Sequence, residues 1–185
     1  LAGSSFGATL SATSVGTNQT ITISSSAIPI LTGGEFLGNV EGDDGSFWCV
    51  DYENYINVPE TYNGNVTLLS AWSGGTNSEV RKGETTDWAW NPIGGSLTPL
   101  QRYQVAAYLI SQTAAYNSGL DTNADNDYQL AAWKVLDAGT SSLSITSNAN
   151  TLLTSAVGYV LANSSYGFGE WAVVSSSICP SSRPP

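Results

Sequence analysis

Two cysteines, Cys49 and Cys179, are the only thiols in a chain of 185 residues. Cys49 stands inside "GDDGSFWCVDYENYINVP", between Trp48 and Val50 and two residues from Asp51, while Cys179 opens the tail "CPSSRPP". The chain has no histidine. No Ser–His–Asp or Cys–His nucleophile can therefore be built, nor a zinc site with imidazole ligands. Two thiols cannot complete a four-thiolate site either. Carboxylate chemistry, cysteine chemistry, or no chemistry remain.

Carboxylates are plentiful but poorly focused. In "DTNADND", Asp121, Asn123, Asp125 and Asp127 alternate as in the first half of a calcium loop. The sixth position is Asn126 instead of Gly, and the twelfth is Ala132 instead of Glu. A solvated interhelical turn ending in an N-cap explains the stretch better, and no metal or other cofactor is expected. A glycoside hydrolase needs two acids across a cleft. Glu35, Glu41, Asp43, Asp44, Asp51 and Glu53 lie among Trp48, Trp72, Trp88 and Trp90, but spacing selects no pair.

Charge narrows the partners. Fifteen acidic against five basic residues give a formal net charge of −10. Phosphate binding needs Lys and Arg, so nucleic acid is excluded as a natural partner, and anionic membrane is disfavoured by the same sign. No apolar run reaches bilayer-spanning length. The chain has no Met and begins "LAGSSFGATL", which leads to the expectation of a processed N-terminus. Low Lys and abundant Ser, Thr, Asn and Gly fit an extracellular or cell-surface protein, while the sequons at Asn18, Asn65 and Asn163 arise by chance in such a composition.

These residues must be positioned by a small set of elements. Residues 1–34 form a β-prone segment with no charge before Glu35, expected as an edge strand of its own domain or as a strand exchanged into a neighbour's sheet. Residues 35–178 are expected to form the main domain, and 179–185 a tail. "GGEFLGNV", "SFWCVDYENYINV" and "NGNVTLLSAW" read as strands between turns. In "LTPLQRYQVAAYLISQTAAY", Thr98, Pro99 and Gln101 form a capping-box start, predicting a helix to about Ala115. A second helix fits "DYQLAAWKVLDAG", with Asp127 as N-cap and Gly139 as its stop. A third fits "NANTLLTSAVGYVLANSS", with an apolar stripe of Leu152, Leu153, Ala156, Val157, Val160 and Leu161. "FGEWAVVSSSI" is a last strand. The fold class is α+β: an antiparallel sandwich or barrel-like sheet with an inserted block of about three helices.

For an extracellular chain with two cysteines the ordinary expectation is a Cys49–Cys179 disulfide. It would close a loop of about 130 residues, worth a few kcal/mol in the chain-entropy account. A second partner for Cys49 emerges from "FWCVDY" read together with "YQLAAW". An aromatic–Cys–Val–Asp strand followed by a helix-borne Gln–x–Ala–aliphatic–Trp segment resembles the thioester domains of bacterial surface proteins, in the form seen in secreted Gram-negative proteins. The family's Thr–Gln–x–Ala–aliphatic–Trp motif falls on Tyr128, Gln129, Leu130, Ala131, Ala132 and Trp133, with Tyr for Thr and Ala for the larger aliphatic residue. "YINVPETY" and "QRYQVAAYLISQ" also look familial, and the resemblance covers roughly residues 36–174.

The resemblance implies an internal thioester between Cys49 and Gln129, consumed when an amine on a target displaces the sulfur. The protein would then be an adhesin-like capture device and not an enzyme. Trp48, Asp51, Tyr128 and Trp133 would support the pair, the aromatic rings by excluding water. Gln129, expected in the first helical turn, would have unpaired backbone N–H groups beside its carbonyl. A different class stays open beside it: a structural subunit of an extracellular filament or matrix, built from neighbouring copies by strand addition of the N-terminal segment, with a Cys49–Cys179 disulfide and no reactive bond. There Gln129 is an ordinary helix residue.

Overall fold

The computed structural model describes residues 5–22, 30–50, 58–73, 75–113, 125–139, 143–163, 166 and 168–176. Strands β1 (Ser5–Thr22), β2 (Ile30–Val40), β3 (Asp43–Trp48) and β4 (Glu60–Leu68) come first. Helices α1 (Pro99–Ser111), α2 (Asp125–Val135) and α3 (Ser147–Ala162) follow, and β5 (Ala172–Ser176) closes the order. The five strands make one antiparallel sheet in the order β3-β2-β1-β4-β5. The sheet curls into a half-barrel beside the three helices, an α+β fold.

The N-terminal segment is not an edge strand. β1 lies at the centre of the sheet, paired with β4 from Ser5 to Ala12 and with β2 from Leu10 to Thr22. Its two neighbours overlap for only a few residues, so the sheet is offset about β1. Register shifts between Ala12 and Ser14 and between Val15 and Asn18 break the ladder there, and such bulges bend a strand and raise its twist. The boundary expected at residues 34 and 35 falls inside β2. A chain-local pattern shows that a segment is β-prone; which strands flank it depends on residues far away in sequence.

β2 and β3 form a hairpin through Glu41 and Gly42, both at positive φ (53° and 93°). Two such residues give a turn whose twist matches the strands. Gly38 answers a close approach between β1 and β2: a Cβ there would run into the Ser11 carbonyl. These two devices set the register of β3 and hence the point at which it releases Cys49.

The helices begin largely as their sequences dictate. Thr98 Oγ1 accepts from Gln101 N while Gln101 Oε1 accepts from Thr98 N, with Pro99 at the first position. α1 ends at Ser111, short of the expected Ala115. In α3, Ala149, Leu153, Ala156, Val157 and Val160 are buried; Leu152 is half-buried and Leu161 is half exposed, so the stripe is narrower than expected. Val105, Leu109, Val135, Leu136 and Leu153 meet in one core with almost no exposed surface.

α2 starts earlier than expected. Asp125 is its first residue and Asp127 its third, so Asp127 is not the N-cap. Its carboxylate accepts instead from Thr146 Oγ1 and Asn148 Nδ2, each at 2.5 Å. Thr146 is itself the N-cap of α3. One carboxylate thus ties two helix N-termini together, where negative charge suits both dipoles. Gly139 is not the helix stop either: α2 ends at Val135, and Gly139, at φ 69°, donates its N–H to Asp87 O. Asp127→Ala is expected to cost about 1 kcal/mol, read as a shift of the urea midpoint with unchanged slope.

Candidate functional site

The site is built where β3 ends. Trp48 is the last ladder residue, opposite Glu35, so the carbonyl of Cys49 has passed beyond the sheet and must find another donor. It accepts from Trp133 Nε1 at 2.7 Å and from Gln129 Nε2 at 3.1 Å. Gln129 and Trp133 are four residues apart on α2 and share a face by helical spacing. Both are deeply buried, at 3% and 2% exposure. Residues eighty positions apart in sequence are brought together here.

The Gln129 amide is satisfied on one side only. Its nitrogen is held by Cys49, but its buried oxygen Oε1 has no hydrogen-bond partner among the described residues. A buried amide oxygen left so costs about 1–3 kcal/mol. The expected donor was the first turn of α2, and this is corrected. Gln129 is the fifth helical residue, beyond the orphan N–H groups at the start of the helix. α2 begins at Asp125, two residues before the expected N-cap, and that offset carries Gln129 past the first turn.

Aromatic residues wall the site. Trp48 is half-buried, packs on the helical core and lies 6.2 Å from Trp171, ring centre to ring centre. Tyr128 also packs against the core. Beyond it Tyr108 stacks on Tyr159 at 4.5 Å, with Tyr166 edge-on to both. Burial, then the neighbouring Tyr159, Tyr166 and Tyr128, push the Tyr108 hydroxyl above its ordinary pKa.

The position of α2 depends on groups that the sequence did not single out. Its C-terminal end collects cations: Arg102 Nη1 donates to Val135 O at 2.9 Å, and Lys82 Nζ to Leu136 O at 2.9 Å. Lys134 pairs with Asp137 at 2.8 Å. Three of the five basic residues in the chain thus serve this one helix end, the arrangement its dipole favours. Arg102 is fully buried. It also donates to Trp90 O at 2.9 Å and to Asn91 Oδ1 at 2.5 Å, and its guanidinium lies 4.2 Å from the centre of the Trp88 ring. Burial lowers its pKa to about 10, still far enough above neutrality to keep it charged. The scarcity of cations was the available signal: in an acidic chain, an Arg within an apolar helix has a specific partner to meet.

Asp51, Cys179, Asp121 and Asn123 lie outside the described residues. Asp125 is buried and Asp127 is engaged with α3. Among the described residues no group of three acidic or thiol side chains is arranged to hold a metal ion, and no helix is long and apolar enough to cross a membrane. Compared with protein-family models, curated proteins and solved structures, the chain matches none of them.

Proposed function

We propose that this chain is an extracellular covalent-capture domain, armed by a thioester between Cys49 and Gln129. The observation that carries the reading is the side chain of Gln129, buried and held against Cys49 with its amide oxygen unpartnered among the described residues. In the arming step the Cys49 sulfur attacks the side-chain carbonyl carbon of Gln129. The C–S bond forms, the C–N bond breaks, the thiol proton passes to nitrogen, and ammonia leaves. A thioester oxygen is a weaker hydrogen-bond acceptor than an amide oxygen, so the buried unpartnered site penalises the product less than the starting amide. In the capture step an amine on a target attacks the same carbon, an amide forms, and the Cys49 thiol is released. Surrounding indole and phenol rings keep water from competing.

Each molecule reacts once, so the activity is capture and not turnover. The excess of acidic groups attracts a cationic, amine-bearing partner over an anionic one. The filament reading has no comparable observation behind it. β1 pairs within its own chain, with β4 over Ser5–Ala12 and with β2 over Leu10–Thr22.

Intact mass of the unreduced protein tests the proposal. The expected mass is the sequence mass less one ammonia, restored to the full value in Cys49→Ala and in Gln129→Ala. Incubation with methylamine is expected to add one methylamine to the wild type alone, on Gln129. A wild-type mass short of two hydrogens and recovered on reduction would assign Cys49 to a disulfide and overturn the reading.

A further inference from the structure

A second site lies inside the half-barrel. Between the sheet and α1 is a cavity of about 860 Å³, within the size range of small-molecule sites. It exists because α1 turns small residues, Ala106 and Ala107, toward Leu10 of β1 and Val66 of β4, leaving space that larger side chains would fill. Neither Gln129 nor Trp133 lines it. Its charged lining is one-sided: Glu35, Asp43 and Glu170, with no Lys or Arg among the described residues.

The acids are placed beside aromatic rings. Trp48 and Trp171, 6.2 Å apart, both line the cavity. Glu35 is the cross-strand partner of Trp48, and Glu170 precedes Trp171 in the chain. Glu35 is oriented by Ser46 Oγ at 2.6 Å. Its carboxylate lies close over Gly16, so a Cβ there would make it shift. Two indole rings with the half-buried Glu35 and the exposed Glu170 form a solvent-facing environment for an ammonium group, and the apolar interior accepts a hydrocarbon chain.

We propose that this cavity binds a cationic amphiphile: an alkyl chain lying between the sheet and α1, with its ammonium head among Trp48, Trp171, Glu35 and Glu170. The site adjoins the Cys49–Gln129 pair, with Trp48 and Val50 on either side of Cys49 in its lining, and it does not rest on the thioester.

Calorimetric titration with dodecyltrimethylammonium below its micelle threshold tests this. The quaternary head cannot be acylated, so covalent capture does not contribute. Binding is expected to be about tenfold or more tighter than that of dodecanoate or dodecanol. Glu35→Gln with Glu170→Gln is expected to remove that preference. Ala107→Phe inside the cavity and Val173→Trp at its wall are each expected to abolish binding, with the far-ultraviolet spectrum confirming that at least one is folded. Cys49→Ala is expected to bind like the wild type. No binding by any probe, equal or tighter binding of dodecanoate, or unimpaired binding by both folded filled-cavity variants would each overturn the proposal.

Discussion

Arg102→Ala is expected to destabilise the fold by about 3–5 kcal/mol, because it empties a fully buried site and removes the donor from one buried and two part-buried acceptors at once. The carbonyls of Trp90 and Val135 and the side-chain oxygen of Asn91 all lose their donor. The Trp88 ring also loses the cation stacked against it. For a chain of this size the loss corresponds to a fall in melting temperature of roughly 10 °C or more. Arg102→Lys is expected to recover no more than about half of it, since a single ammonium cannot reproduce the planar fork. The measurement is thermal and urea unfolding of the three proteins. A loss below about 1 kcal/mol in Arg102→Ala would mean that water takes over these contacts and that the clamp is unimportant. The consequence for the site is positional. Arg102 holds the C-terminal end of α2, and α2 carries Gln129.

Trp133→Phe is expected to separate packing from positioning. Phenylalanine keeps most of the buried volume but has no N–H for the Cys49 carbonyl, a loss of about 1–2 kcal/mol. On the thioester reading its larger effect falls on arming, because the end of β3 is no longer drawn onto the face of α2. The expected result is a clear drop in the fraction of molecules that lack ammonia, beyond what the lost stability explains. Leu130→Ala supplies the comparison: Leu130 is buried in the same helix, and the change costs about 2–5 kcal/mol. If Leu130→Ala lowers that fraction as much as Trp133→Phe does, Trp133 is a core residue only. Trp133→Ala is expected to lose stability and arming together, at about 3–5 kcal/mol.

Much of the local structure was legible. The Thr98 capping box, the third helix and the strand character of β1 to β4 rest on patterns within a few residues of each other. So does the spacing of Gln129 and Trp133, which puts them on one helix face wherever that helix lies. The start of α2 was misread, since Asp127 looks like an N-cap in isolation. Its carboxylate has a better use only once Thr146 and Asn148 are beside it. Likewise nothing near Arg102 in sequence names its partners, because Trp88, Trp90, Asn91 and the end of α2 come from other segments.

By itself the sequence determined the available chemistry: no imidazole, two thiols, an acid excess, and a cysteine and a glutamine in distinctive settings. Tertiary structure decided the rest. It put β1 at the centre of the sheet, brought Cys49 onto Gln129 and Trp133, and left a cavity between α1 and the strands. Each depends on which distant surfaces meet when apolar area is buried and backbone groups find partners. A local pattern can specify a face; the face opposite it is selected by the whole chain.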